Sequence, residues 1–439
     1  MMRIAYSTVL YLLSPILLSK LLARILRDRK YLDRLPQRFG YGFSFPKAAK
    51  RDSEAARIWI HAVSVGEVNA AVPLVKRLKA RHPRSPIILT TMTPTGAGRV
   101  EQALSGDVTH CYLPYDYPGS VRRFLKKARP DVAVFMETEI WPNYVAACAG
   151  RKIPVIFANA RLSEKSYRGY RSFRRLIGSS LGMVDAIAVQ AQMDAGRLLK
   201  LGARSETVHV TGNIKFDIVV ADETREAALA LRSRIGEKRP VWIAGSTHHP
   251  EESLVLEAHA GIRNDCPDAL LLLVPRHPER SAQVLRLCAR HGLKGMLLTQ
   301  IPHELPGDTD VVIGNTMGQL PMLICASDVA FIGGSLAPVG GHNVLEACAG
   351  GVPAVYGPHM FNFQQISDQV LAQGAGLQVM DERELGETVN TLLNDPVMRE
   401  GYGTEGLRFV EDNRGALERI SELVEQHMHR AGDGDTVRQ

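Results

Sequence analysis

Apolar and polar positions follow one plan along most of the chain. Short, nearly unbroken apolar runs alternate with longer stretches in which apolar residues recur at helical spacing. The runs Ile58–Ala62, Pro86–Thr91, Val108–Tyr112, Asp131–Phe135, Pro154–Ala158 and Ala186–Gln190 form a first series. A charged helical connector over Ala221–Pro240 separates it from a second: Val241–Gly245, Ala269–Val274, Gly295–Leu298, Val311–Ile313, Val329–Ile332 and Ala354–Tyr356. Strands buried on both faces need such unalternating runs, so each series predicts a parallel sheet with helices on both sides. The fold class is therefore α/β, with two doubly wound domains facing a central cleft; 439 residues exceed one ordinary core. Ligands of such sheets bind beyond the carboxyl ends of the strands.

The first segment breaks the pattern. Ile4–Leu26 is apolar but interrupted by Pro15, Lys20 and Arg24, and its clean run falls short of the about 20 residues that cross a bilayer. A single-pass anchor and an amphipathic helix lying in the interface are both open, beside a buried first helix with a solvated basic tail. Met1 to Arg51 holds eleven Lys or Arg against two Asp, a balance of +9, so with a net charge of +7 the rest of the chain carries −2. The basicity thus belongs to the arm. Nucleic acid is not an expected partner, and an anionic membrane surface is, with the body on the cytoplasmic side of the basic residues. Six cysteines without a CxxC pair read as reduced core thiols rather than a zinc or disulfide framework. A Pro/Lys/Arg-rich linker covers residues 44–57, and the tail from Arg430 reads as disordered.

Candidate chemistry gathers after the strands. Phe331–Pro358 contains two glycine breaks, Gly333-Gly334-Ser335 and Gly340-Gly341, and then helical spacing from Asn343 to Cys348. A glycine turn opening a helix offers unpaired N–H groups to an anion, and Glu346, three residues after Asn343 on the same helical face, suits a ribose diol. Glu67 opens a helix over Gly66–Ala80 behind His61-Ala-Val-Ser-Val-Gly-Glu67, either as a dipole partner or as a proton acceptor. Glu137 and Glu139 follow a strand beside Trp141, and Lys215 lies in Gly212-Asn-Ile-Lys215, suited to neutralising developing charge. Arg161–Arg175 reads as a basic helix, solvated or facing lipid head groups. Arg276 is a natural phosphate fork, and the turn Gly314–Gln319 can present its backbone to a base edge. Asp308-Thr-Asp310 precedes its strand and reads as a loop rather than a metal motif.

Taken together, HAVSVGE (61–67), ETEIWPN (137–143), GNIKFD (212–217), AGSTH (244–248), PRHPER (275–280), the Gly314–Gln319 turn and GGHNVLEA (340–347) resemble the Kdo transferases. These are membrane-associated enzymes that place 3-deoxy-D-manno-octulosonate (Kdo) from CMP-Kdo onto lipid A precursor. The resemblance implies an inverting, metal-independent GT-B glycosyltransferase of two Rossmann-like domains, without a cofactor, at the bacterial inner membrane. The implied organisation is 1–45, membrane anchor and basic arm; 46–220, acceptor domain; 221–405, CMP-Kdo domain; and 406–439, a C-terminal helix returning to the first domain, with the tail. By motif, Glu67 is implied as the general base and Glu137 and Lys215 as transition-state stabilisers. Arg276, His277, Met317, Gly318, Gln319, Asn343, Val344, Leu345 and Glu346 are implied as the CMP site. Rival readings are another GT-B enzyme acting on a UDP-sugar, a UDP-sugar 2-epimerase, and a membrane-anchored binding protein.

Overall fold

A computed structural model of the protein describes residues 2–45 and 55–433. The chain divides into two compact units, Met1–Lys215 with Arg414–Gln439, and Phe216–Asn413. The boundaries differ from the expected 220 and 405. Phe216 is buried in the second core with Ile218 and Val220 against it, and the helix Pro396–Asp412 sends Val410 into the same core.

The first unit is a parallel sheet of β1 (Ile58–His61), β2 (Ile87–Thr91), β3 (Thr109–Tyr112), β4 (Val132–Met136), β5 (Val155–Ala160), β6 (Ala186–Val189) and β7 (Val208–Val210), in the order β3-β2-β1-β4-β5-β6-β7. Ile58 pairs with Ile87 on one side and Val132 on the other, which fixes the register of the centre. Both faces are packed: Trp59, Phe135 and Phe157 point into one core, Ile58, Ile60 and Val134 into the other. Ile420 and Val424 of the terminal helix Ala416–Asp433 join the second of these, and its Glu418 and Glu425 pair with Arg77, Arg81 and His82.

The second unit repeats the plan with β8 (Val241–Thr247), β9 (Leu270–Pro275), β10 (Gly295–Leu297), β11 (Val311–Ile313), β12 (Val329–Ile332), β13 (Ala354–Tyr356) and β14 (Gly376–Gln378), ordered β10-β11-β9-β8-β12-β13-β14. Strand order reverses between β1 and β4 in one unit and between β8 and β12 in the other. Such switch points open crevices at the carboxyl edge of a sheet.

The apolar N-terminus is two helices, Met2–Leu12 and Ser14–Arg27, bent by 53°. Pro15 sits in the first turn of the second helix, where its missing N–H costs nothing. No single helix among the described residues is long and apolar enough to cross a membrane; the bent pair meets that test only jointly. The arm docks on its own unit through polar contacts. Tyr6 Oη donates to Asp116 Oδ2 (3.1 Å), Ser7 Oγ to Asn143 Oδ1 (3.1 Å), and Ser14 Oγ lies 2.9 Å from Tyr117 Oη.

Two further expectations change. The basic stretch after β5 is two short helices, Glu164–Arg171 and Arg174–Leu181, rather than one. The supposedly disordered tail continues the terminal helix as far as Asp433, since an established helix adds one hydrogen bond per residue. Residues 434–439, and 46–54 of the linker, lie outside the described residues.

Candidate active site

In the first unit, acids collect at the switch point. Glu67 is buried in the first turn of the helix Val65–Arg81, directly after β1. The Val63 N–H donates to its Oε2 (2.8 Å) and Ser64 Oγ to its Oε1 (3.1 Å), which aims the carboxyl rigidly. Burial nevertheless pushes its pKa up to about 8, and the charges of Glu139 and Glu137 add to the shift. Glu139 is raised to about 7, again chiefly by burial, with Glu137 contributing; the Trp141 indole N–H lies close enough to favour its ionised form without completing a hydrogen bond.

Glu137 follows β4 with φ +55, a left-handed conformation that a glutamate rarely adopts. The neighbouring strand answers it. Asn159 also has φ +57, at a break in the β5–β6 register, and bulges of this kind re-aim side chains beside active sites. Asn159 Oδ1 accepts from the Ile214 N–H (3.0 Å) and so fixes the segment that carries Lys215. Burial lowers the Lys215 pKa, Glu137 opposes that shift, and Arg161 adds to it. Arg161 Nε donates to Glu137 Oε2 at 3.1 Å. Glu67, Glu137 and Lys215 are thus brought into one electrostatic neighbourhood. His61, at the end of β1, is a core residue: Nδ1 faces Thr90 and burial holds the ring neutral, with a pKa of about 3.

In the second unit, four adjacent strands end at one edge and each contributes a loop. Arg276 and His277 follow β9, Met317–Gln319 follow β11, the Ser246–His248 turn closes β8, and Gly333–Glu346 follow β12. The glycine turn departs from expectation. Its amides are already taken by an internal anion: Glu251, fully buried, accepts from Gly334 N (2.7 Å) on Oε2 and from Ser335 N (3.0 Å) and Leu336 N (2.9 Å) on Oε1. The Gly340 and Gly341 N–H groups bond back to the Gly334 carbonyl.

Unpaired donors lie further on. The amides of His342, Asn343 and Val344 have no acceptor among the described residues. The helix begins at Leu345, two residues later than the spacing suggested; its N-cap position is Val344, and Asn343 Oδ1 accepts from the Leu345 N–H (3.3 Å) in a turn just before it. Val344 and Leu345 are wholly buried and offer a ligand only backbone, whereas Met317 is 57% exposed and Gly318 sits at φ +83. Gln319 bonds Thr316. Glu346 is half-buried, pushed up to about 7 by burial against the pull of Arg276.

Reading the sequence missed several participants. Arg161 was counted into a basic helix, although its place as the first residue after β5 was the available signal. Glu139 is absent from the site residues that the resemblance implies, although it stands two residues from Glu137. Glu251 gave no sequence signal, since its partners are 83 to 85 residues away. His248 and His342 are 94 positions apart, yet their Nε2 atoms meet at 3.0 Å.

Two parallel seven-stranded α/β units, each with polar loops at its switch point, make up the GT-B fold. The UDP-GlcNAc 2-epimerase of Neisseria meningitidis shares this fold, with a TM-score of 0.55 over 85% of this chain and 100% of that one, at 13% identity. A family model described as 3-deoxy-D-manno-octulosonic-acid transferase (kdotransferase) matches residues 33–218. The 3-deoxy-D-manno-octulosonic acid transferase of Haemophilus influenzae is 37% identical over 432 residues, covering 98% of this chain and 100% of that protein. The protein of the same name from Bordetella pertussis is 34% identical over 379 residues, 84% of this chain and 87% of that one. The chain belongs to the 3-deoxy-D-manno-octulosonic acid transferase family and is a glycosyltransferase.

Proposed function

We propose that the enzyme transfers Kdo from CMP-Kdo to the primary hydroxyl of the glucosamine disaccharide of a lipid A precursor, lipid IVA, with inversion and without a resident metal. The observation that carries this reading is Glu67, a buried carboxyl held by two donors with its pKa raised to about 8. A carboxylate that proton-hungry is a competent general base for an alcohol. As the acceptor oxygen bonds to the anomeric carbon of Kdo, its proton passes to Glu67. The bond from that carbon to the phosphate breaks at the same time, and CMP leaves with the electron pair. Kdo bears its own carboxylate at the reacting centre, so Lys215, steered by Glu137, offsets negative charge there. Arg276, His277 and the free amides at His342–Val344 suit the cytidylyl phosphate, the 317–319 turn suits the base, and Glu346 the ribose diol.

The arm supports a reading at the cytoplasmic face of the bacterial inner membrane. Its helices expose Ile4, Leu12, Leu17, Leu18, Leu22 and Leu26, and Arg24 and Arg27 in the last turn favour an anionic lipid surface. The test is incubation of purified enzyme with CMP-Kdo and tetraacylated lipid A precursor in EDTA, followed by lipid mass. A product heavier by one or more Kdo units is expected. An unchanged mass, with CMP bound and lipid accessible, would redirect the assignment to a UDP-sugar donor.

A further inference from the structure

One pair of side chains beside the Arg276–His277 loop has no role in the scheme above. His248, just past β8, and His342, just before Asn343, approach Nε2 to Nε2 at 3.0 Å, with ring planes 6° apart and centroids 5.2 Å apart. The His277 ring stands edge-on to His248, with centroids 5.9 Å apart. Glycine makes room for the pair: a Cβ on Gly334 would fall 3.2 Å from His342 Cδ2 and 3.5 Å from His248 Cδ2, at φ +68. The backbone below is fixed by Glu251, whose Oε2 also lies 3.3 Å from the His248 N–H.

The chemistry of such a contact is restrictive. Two Nε2 atoms at hydrogen-bonding distance need one proton between them, so one ring donates and the other accepts. In the neutral pair the donating ring then has a bare Nδ1, and only the accepting ring carries Nδ1–H. One added proton, placed on the bare Nδ1, leaves the central bond intact and turns both outer nitrogens into donors. Among the described residues neither Nδ1 has a hydrogen-bond partner.

We propose that His248 and His342 work as a single proton-accepting pair that becomes charged when the phosphate of the cytidylyl donor binds, so that donor binding takes up one proton from solvent. The inference rests on the donor assignment made above. The charged and titratable groups facing the pair are Arg276 and His277 after β9, Arg280 in the turn that follows, and Glu251 and Glu252 at the start of the helix Glu251–Asp265. Glu251 is committed to the glycine turn and Glu252 to Arg280, so neither carboxylate is spare to charge the pair. Burial, then His277, Arg276 and Arg280, keep His248 below its ordinary value against the pull of Glu252, and burial with His248, Arg276 and His277 takes His342 down to about 4. The free pair is therefore neutral at neutral pH. An arriving phosphate offsets Arg276 and supplies the acceptor that the second Nδ1–H requires, which raises proton affinity where it was suppressed. When CMP departs and its phosphate gains charge, the Nδ1–H that faces it meets a better acceptor.

The experiment uses the full-length enzyme and the methyl phosphodiester of CMP, whose single charge does not change across the neutral range. Calorimetry in buffers of different ionisation enthalpy, at about pH 6.5, is expected to show uptake of about one proton per site, with affinity tightening up to about tenfold per pH unit as pH falls. In His342→Asn and in His248→Asn, each checked by thermal melting, uptake and pH dependence are expected to vanish while binding at high pH persists. If either variant fails to fold, the other carries the comparison. Tight binding of the ester to the wild-type enzyme without proton uptake would overturn the pair, as would uptake that survives in the folded variants. Failure of the wild-type enzyme to bind the ester at all would instead overturn the donor assignment, and the pair with it.

Discussion

The two units share a scaffold and differ in what they load onto it. Each is a seven-stranded parallel sheet with a reversal of strand order near its middle, and each puts its polar loops at that reversal. The first unit fills the position with carboxyls, Glu67, Glu137 and Glu139, which crowd one another and hold protons to pH 7–8 in two of the three cases. The second fills it with Arg276, three imidazoles and free amides. Burial raises carboxyls in both units, Glu67 and Glu139 in the first and Glu346 in the second; neighbouring acids add to the shift in the first, whereas Arg276 opposes it in the second. Backbone topology therefore places polar loops at the same point of both units, and side-chain charge distinguishes what each presents there.

That contrast can be broken most severely at Glu67. Glu67→Gln is expected to lower kcat by about 10²–10⁴-fold with CMP affinity unchanged, because the amide keeps the shape and loses the base. In the parent enzyme kcat/KM should climb with pH and level off above about 8, since only the ionised carboxyl accepts a proton. Stability runs the other way. The folded pKa lies above the ordinary 4.5, so the folded state holds a proton that the unfolded chain releases, and stability falls as pH rises from about 4.5 to about 8. Thermal melts across this range should show that slope weakened in Glu67→Gln.

In the second unit, Glu251→Gln presents an amide N–H₂ to backbone donors. It should cost about 1–3 kcal/mol in urea unfolding and loosen donor binding with it. The mildest change is Glu346→Ala. It should weaken CMP by about tenfold while leaving 2′-deoxy-CMP nearly unaffected, if the carboxylate holds the ribose diol. Equal losses for both nucleotides would remove Glu346 from ribose recognition.

The strands of both sheets were legible because buried parallel strands are written as unbroken apolar runs. The exceptions are β7 and β14. Each has three residues at a sheet edge and is partly exposed, so neither needs an apolar run. Glu67, Glu137, Lys215 and Arg276 were legible because each follows a strand or turn closely enough for local rules to apply. The glycine turn was misread because glycine spacing reveals that amides converge but not what they converge on. Glu251 answers that from a different helix, just as Arg161 answers Glu137 from the next strand. Such pairings are settled by the order of strands, which no stretch of sequence states.

Asp116 is buried at 3% exposure and takes the Asn143 and Tyr144 N–H groups at 3.0 Å each, besides the Tyr6 hydroxyl of the arm. Asn143 and Tyr144 open the helix into which the Glu137–Trp141 loop runs. One carboxyl is therefore a common fulcrum, with the N-terminal arm on one side and the acid-bearing loop on the other. A load on the arm would therefore be borne at Asn143, two residues from Trp141, at the start of the helix that the acid-bearing loop enters.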